Sequence, residues 1–299
     1  MQERACVIVN PAAGRGRGAK MLPSISGAFA NEGIADVKAT LAKGDEARLA
    51  TEAIANGCTT IVIVGGDGTL SNVANVILHS GRDVRLAVMP AGTGNDFAKL
   101  LGTSKVDVAA LARLCRTSEA QRVDAGKVED VYFVNCCGFG FDVAVLEGIA
   151  RNSRLRGNSV YVYTALMELF GYPGVNIGVS SQASTRASEL HLLLAIANAS
   201  YFGGTFEIAP GAIATDGMLD AVSILNVAPW KRIGVLAAAI RGKHERYREC
   251  VRERASTFTV SFAVPPTYEA DGELHHAQTP TVTVSSCPGA LRVVAAHRL

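Results

Sequence analysis

The stretch Ile61-Val62-Ile63-Val64-Gly65-Gly66-Asp67-Gly68-Thr69-Leu70 sets four β-branched residues ahead of a glycine-rich turn. Such a run reads as a fully buried strand. Leu70, Val73, Ala74 and Ile77 then recur at the spacing of one helix face. The order is therefore strand, turn, helix. Glycine lets the backbone approach a ligand with no Cβ in the way. A helix N-terminus offers unpaired N–H groups and a partial positive charge, which suit a phosphate. Asp67 stands inside that anion site, where a carboxylate makes sense if it holds a cation, directly or through water. Asp67 is expected on an exposed turn, so that removing its side chain would disturb packing little. An ordinary connection would use the same Asp or Thr only as a helix cap; the neighbouring segments argue against that simpler account.

Upstream, the β-rich run Ala5–Val9 leads into Asn10-Pro11-Ala12-Ala13-Gly14-Arg15-Gly16-Arg17-Gly18. Alternating glycine and arginine after a strand can wrap an anion, or can form a solvated loop. The pattern then predicts a helix over Lys20–Asn31, a strand over Val37–Leu41, a helix over Gly44–Asn56 and a strand over Thr59–Val64. Downstream, a strand over Val84–Met89 ends in Pro90-Ala91-Gly92-Thr93-Gly94-Asn95-Asp96-Phe97-Ala98, a second glycine turn that opens a helix. A further helix covers Val106–Arg116. This alternation predicts a doubly wound parallel sheet, with ligands outside the carboxyl ends of its strands.

After Arg122 the texture changes. Val123–Val128 and Val131–Cys137 read as a hairpin with its turn at Glu129-Asp130. Helices are expected over Asp142–Ala150 and Ser159–Phe170. Strands are expected at Val175–Ser180, Glu189–Ala197, Leu219–Leu225, Thr257–Val264, Thr267–Ala270, Thr281–Ser286 and Leu291–Ala295, with one helix, Pro229–Arg241, among them. Short strands in succession read as an antiparallel sandwich. The fold class is thus α/β: a doubly wound N-terminal nucleotide-binding domain, 1–122, and a β-sandwich C-terminal domain, 123–299.

With 48% hydrophobic and 19% charged residues the chain can bury a core. A net charge of +2 creates no global field for nucleic acid, so no nucleic-acid partner is expected. Seven scattered cysteines, an odd number with no C-x-x-C pair, argue for reduced thiols in a cytoplasmic protein. The opening residues are too short and too acidic a run for a signal peptide. The longest apolar segments, Leu190–Ala199 and Ile233–Ile240, fall short of the roughly 18 residues that span a bilayer. Membrane contact is therefore expected to be peripheral, at the inner face.

Four motifs in order, Asn10-Pro11-x-Ala13-Gly14, Gly65-Gly66-Asp67-Gly68-Thr69-Leu70, Gly92-Thr93-Gly94-Asn95-Asp96-Phe97-Ala98 and Asp271-Gly272-Glu273, resemble the diacylglycerol-kinase-like lipid kinases. That family includes the bacterial diacylglycerol kinases, the YegS-type lipid kinases and the sphingosine and ceramide kinases. The resemblance runs from about Val7 to Glu273. It implies an ATP-binding catalytic domain, a lipid-binding β-sandwich domain, an active site in the cleft between them, and a chain end that returns to the first domain. It further implies ATP and Mg²⁺ as cofactors and a lipid hydroxyl as acceptor, in phospholipid metabolism. A lipid at the membrane surface is then the partner; a homodimer stays open.

Carried over by motif, Asn10, Pro11, Ala12, Ala13, Gly14, Thr40, Gly65, Gly66, Asp67, Gly68, Thr69, Leu70, Ser71, Thr93, Asn95 and Asp96 are the nucleotide-binding positions. Asp124 matches the acidic position that opens the second domain and is assigned to metal. The segment Ala209–Leu219 resembles the family's structural magnesium loop, with the Asp216 side chain and the Ile213 and Met218 carbonyls as ligands. Glu273 matches the proposed catalytic base, with Asp67 the other catalytic carboxylate. One position departs: the family has Asn-Glu after the Gly-Gly-Asp-Gly-Thr-Leu run, and here Ser71-Asn72 removes a carboxylate. Phosphoryl transfer asks for positioning and charge neutralisation, which these residue types supply. Two other functions fit parts of the pattern. NAD kinase shares a Gly-Gly-Asp-Gly-Thr turn, and a nucleotide-binding regulator would keep the fold without turnover.

Local positive charge sits at Lys231-Arg232 and Arg241–Arg248, diluted by Glu245, Glu249 and Glu253 at intervals of four. A charged solvated face is the expectation there. The aromatic run Val160–Tyr172 is expected to pack in the core or to line an acyl cleft, with Arg151, Arg154 and Arg156 beside it. His275 and His276 lack further ligands at metal spacing and are expected to be bystanders.

Overall fold

The computed structural model describes residues 4–151 and 168–299. Arg154, Arg156, most of the expected helix Ser159–Phe170 and most of the aromatic run from Val160 lie outside the described residues. The chain forms two compact units. The first holds Met1–Ala125, Ala214–Asp216 and Cys287–Leu299, the second Gly126–Ile213 and Gly217–Ser286.

In the first unit, strands β1 (Ala5–Val9), β2 (Val37–Ala39), β3 (Thr60–Gly65) and β4 (Arg85–Pro90) run parallel in the order β2-β1-β3-β4. Val7 lies opposite both Val37 and Val62, and Val62 opposite Ala87. The β-branched runs read from sequence are the buried middle of this sheet: Val7, Val9, Val62 and Val64 are 0% exposed. Helices α1 (Ala13–Asn31), α2 (Asp45–Ala55), α3 (Asp67–Ser80), α4 (Asp96–Leu100) and α5 (Val108–Thr117) alternate with the strands. Ile25, Phe29, Leu111 and Ala112 pack onto the sheet. Each fully buried Ile, Phe or Leu side chain among them contributes about 1.5–3 kcal/mol. The assigned start of α1 precedes the expected Lys20, but Gly14, Arg15 and Gly16 have φ of 55°, 59° and 87°, a left-handed turn before the regular helix.

The second unit is antiparallel. It contains β5 from Gly126 onward (the strand is Gln121–Val128), β6 (Val131–Phe133), β7 (Cys136–Gly140), α6 (Phe141–Arg151), β8 (Val175–Ser181), β9 (Thr185–Ala197), the short β10 (Tyr201–Phe202) and β11 (Phe206–Glu207), and β12 (Leu219–Leu225). Then come α7 (Pro229–Ala239), β13 (Cys250–Ala255), β14 (Thr257–Ser261), β15 (Thr267–Ala270), β16 (Glu273–His276) and the first half of β17 (Thr281–Val293). The strand order β16-β15-β7-β9-β8-β14 carries one layer, and β12 pairs with β9 and β13. Phe133, Phe139, Phe258 and Tyr268 fill the core. Mixed α/β followed by a β-sandwich-like unit is the architecture expected from sequence.

Three expectations change. Val131–Cys137 is two strands, not one, because the Asp271 carboxylate accepts the N–H groups of Val134, Asn135 and Cys136 that a continuous ladder would use. Thr281–Ser286 and Leu291–Ala295 are one strand, β17, in which Gly289 takes φ 59°. Its far end, Arg292 and Val293, pairs parallel with Arg85 and Leu86 in the first unit. Cys250–Ala255, of which only Glu253 entered the expected charged face, is a strand whose Arg252 and Arg254 reach the buried Asp220 at 2.9 and 3.4 Å. Charged edge strands resist pairing with other chains.

Candidate active site

The carboxyl ends of β1, β3 and β4 open into the loops that the sequence singled out. A Cβ on Gly92 would stand 2.5 Å from the Gly66 Cα, and one on Gly14 would stand 2.0 Å from the Ala91 carbonyl oxygen. Only glycine permits these approaches, and Gly14 also has φ +55°. The three glycine turns therefore form one cradle. Gly66 is the N-cap of α3 in an extended conformation, and no side chain caps that helix. Its positive end faces the turn, a place suited to phosphate.

Asn10 ties the first loop to the second. Its Nδ2 donates to Thr69 Oγ1 at 2.9 Å, and its Oδ1 accepts the Ala12 N–H at 3.0 Å. Thr69 is 4% exposed, so its hydroxyl joins the loops from inside. Leu70 and Ser71 are buried in the helix, and the Leu70 N–H is taken by the Gly66 carbonyl. Pro11, Ala13, Gly14 and Gly68 lie part-exposed, Ala12 and Thr93 exposed, and Gly65 buried. Thr40 is 8% exposed at the end of β2, its N–H bonded to the Val9 carbonyl.

Asp67 does not occupy the exposed turn expected of it. The Asn95 N–H donates to its Oδ2 at 2.8 Å and the Asp96 N–H to its Oδ1 at 2.9 Å. The carboxylate thus clamps the second glycine turn to the first. Asn95 bears the strain of that turn, with φ 53°, and its side chain closes on Gly92 through both Oδ1 and Nδ2. Burial first, and then the neighbouring Asp96 charge, lift the Asp67 carboxyl above its ordinary pKa, against the pull of the two donors. Asp96 is 5% exposed and bridged to Lys99 at 2.7 Å. Two adjacent carboxylates beside an uncapped helix end fit a divalent cation carried on a polyphosphate.

The carboxylate absent at position 72 has a counterpart that sequence reading missed. Asn72 Nδ2 donates at 2.7 Å to Oε1 of Glu46, which is 3% exposed on the first turn of α2. The charge lost from α3 stands next to it on α2. In the same unit, Asp124 is 2% exposed; its N–H donates to the Ala214 carbonyl and its Oδ1 accepts the Gly289 N–H, both at 2.7 Å. That bond holds the Ala214–Asp216 segment against Asp124. Ile213 and Met218, the two carbonyl positions, flank it in the chain.

In the second unit, Asp271-Gly272 is a two-residue hairpin turn between β15 and β16, with φ 49° and 89°. Asp271 is 7% exposed and locked by three backbone donors, while Glu273, the first residue of β16, remains part-exposed. Glu269 is 0% exposed and its Oε2 accepts the Gly272 N–H at 2.7 Å. A Cβ on Gly138 would stand 1.7 Å from Asp142 Oδ2 and 2.9 Å from Glu269 Oε1, so two carboxyls converge on a bare Cα. Neither Asp142 oxygen nor Glu269 Oε1 has a hydrogen-bond partner among the described residues. Burial lifts Asp142 to about 7, drawn back by first-turn N–H groups that close no full hydrogen bond. Burial, then the Asp142 charge, holds Glu269 well above the usual carboxylate range. No sequence motif marked this pair; the small Gly138 facing Asp142 and Glu269 is its only trace. His275 stacks on Tyr268, and His276 meets Thr267 Oγ1 at 3.0 Å. Arg151 pairs with Glu168 at 3.3 Å.

Comparison with known proteins agrees with this geometry. The family model for the diacylglycerol kinase catalytic domain matches residues 4–128, and that for the YegS C-terminal NAD kinase beta sandwich-like domain matches 135–295. A Pseudomonas aeruginosa protein named "Probable lipid kinase YegS-like" is 34% identical over 258 residues, 86% of this chain and 83% of its own. A diacylglycerol kinase of Bacillus subtilis is 27% identical over 273 residues, 91% and 90% of the two chains. The crystal structure of a diacylglycerol kinase from Bacillus anthracis shares the fold, with a TM-score of 0.73 at 20% identity over 98% of this chain and 97% of that one. The catalytic-domain match and these relatives define a kinase. The chain belongs to the diacylglycerol-kinase-like lipid kinase family.

Proposed function

We propose that the protein transfers the γ-phosphoryl group of ATP, with Mg²⁺, to the hydroxyl of diacylglycerol or a related lipid such as a sphingoid base, ceramide or phosphatidylglycerol. The supporting observation is the cradle of three glycine turns at the ends of β1, β3 and β4, with Asp67 and Asp96 beside an uncapped helix end. Residues 1–122 form the ATP-binding catalytic domain in this proposal, and 123–299 the lipid-binding domain. The backbone of Asn10–Gly14 and Gly65–Ser71, with Thr40, Thr93, Asn95 and Asp96, holds the nucleotide. Asp67, Asp96 and Asp124 neutralise charge around the metal. Asp216, with the carbonyls of Ile213 and Met218, holds a structural magnesium. Glu273 accepts the proton of the attacking hydroxyl, and Asp271 fixes the turn that presents it. The protein works peripherally at the inner face of the cytoplasmic membrane.

Transfer of radiolabelled phosphate to a panel of lipids in mixed micelles tests this. ATP binding without transfer to any lipid would overturn it in favour of a regulator, and NADP formed from NAD and ATP would overturn it in favour of NAD kinase.

A further inference from the structure

Three of the exposed large apolar residues of the second unit lie on or just past one helix, while Phe170, Leu190, Ile213 and Val264 stand elsewhere. Along α7, Trp230 is 78% exposed, Ile233 49% and Ile240, just past its end, 47%, with the exposed Ala237 between them. Spacings of three, four and three place all four on one stripe. The opposite face is fixed: Val235, Ala238 and Ala239 are buried. Arg232, 3% exposed, donates to the carbonyls of Val227 and Leu169 and to Asn226 Oδ1, at 3.0, 2.6 and 2.8 Å. The helix is therefore pinned with its apolar stripe outward. A contiguous exposed apolar patch of this kind marks an interaction surface.

Charge around the stripe selects the partner. Arg241, Lys243, Arg246 and Arg248 are exposed on the turn that follows α7. Of the carboxylates nearby, Glu249 pairs with Lys231 at 2.6 Å and with Arg248 at 3.3 Å, Glu245 pairs with Arg252 at 3.0 Å, and Glu207 lies beside Gly242, which leaves Arg241, Lys243 and Arg246 as the cations of the turn. We infer that the outer face of α7 and the basic turn after it dock this protein onto an anionic lipid bilayer. Trp230, Ile233 and Ile240 enter the headgroup boundary, where an amphipathic Trp is at home, and the cations meet anionic headgroups. A second copy is a poorer occupant, since a two-fold contact would set each basic turn against the same patch of its partner. The inference rests on the lipid-kinase proposal, which needs a water-borne enzyme to reach a bilayer substrate. It deepens that proposal by naming the surface, one the sequence reading left as a solvated face.

Trp230 is the chain's single tryptophan, so its fluorescence reports this face alone. The intact protein is titrated with vesicles of phosphatidylcholine containing phosphatidylglycerol, and with pure phosphatidylcholine. The expected result is a blue shift and protection from an aqueous quencher with the anionic vesicles, weakened by salt. Ile233→Asp, and separately Arg241→Glu with Lys243→Glu, are expected to weaken vesicle binding at least tenfold while transfer to short-chain lipid in detergent micelles is unchanged. An unshifted spectrum on anionic vesicles overturns the inference, as does concentration-dependent dimerisation that buries Trp230 and is lost in Ile233→Asp. Micellar transfer without vesicle binding refutes the docking surface alone; vesicle binding without transfer to any lipid refutes the kinase proposal alone.

Discussion

Replacing Asp67 with alanine deletes the acceptor of two backbone N–H groups, those of Asn95 and Asp96, at 2.8 and 2.9 Å. A hydrogen bond to a charged group contributes about 1.5–3 kcal/mol, and a buried N–H left unpaired loses about 1–3 kcal/mol. Asp67 is part-exposed and sits near the Asp96 charge, so the lower half of the summed range applies. The expected loss is about 2–4 kcal/mol. At roughly 2–4 °C per kcal/mol for a chain of this size class, Tm falls by about 5–15 °C. Urea and thermal unfolding measure the global effect. Amide exchange at Asn95 and Asp96 measures the local one, because those two protons lose their acceptor. A variant within about 0.5 kcal/mol of the parent, the range of an inert surface change, with unchanged exchange at both amides, would refute the clamp. Loss of activity alone would not distinguish a phosphate-side role from the collapse of the second glycine turn.

Glu46→Ala and Asn72→Glu should each lower the urea midpoint, the first by orphaning the Asn72 amide and the second by pairing two carboxylates across 2.7 Å. The double variant should recover stability with a coupling of about 0.5–3 kcal/mol; strictly additive losses would show that no exchange of charge between α2 and α3 took place. Asp142, lifted to about 7 from an ordinary 3.8, holds its proton more tightly folded than unfolded. Stability should therefore fall as pH rises from about 4 through about 7, and Asp142→Asn should lessen the slope of Tm against pH, the buried Glu269 keeping the rest. Glu273→Gln should leave ATP KM unchanged and slow kcat by about 10²–10⁴, the usual range for a general base; turnover above about a tenth of the parent value would remove Glu273 from that role.

The parallel sheet was legible because its signal is redundant. The β-branched runs of β1 and β3 and the apolar run Leu86–Met89 of β4 need burial on both faces, and each is followed by a glycine turn and a helix period. One strand that escaped notice carries the opposite signature. Cys250–Ala255 has Arg252, Glu253 and Arg254 in succession, because an edge strand is kept from other chains by charge. Its partner Asp220 lies distant in sequence, so no local pattern announces the pair.

The same contrast separates what the motifs conveyed from what they hid. Glycines and left-handed residues are local demands of the backbone, so Gly14, Gly66, Gly92 and the Asp271-Gly272 turn could be read along the chain. The purpose of the carboxylates could not. Asp67 and Asp271 look alike in the sequence as Asp-Gly pairs within the family motifs, yet both spend their oxygens on backbone N–H groups of another segment. An anion that accepts several N–H bonds is a fastener before it is a reagent. Glu273 differs: it starts a strand part-exposed, directly after a turn that Asp271 and Glu269 hold from inside. Two carboxylates spent on the turn and one left accessible beside it are what the proposed base would ask of its support.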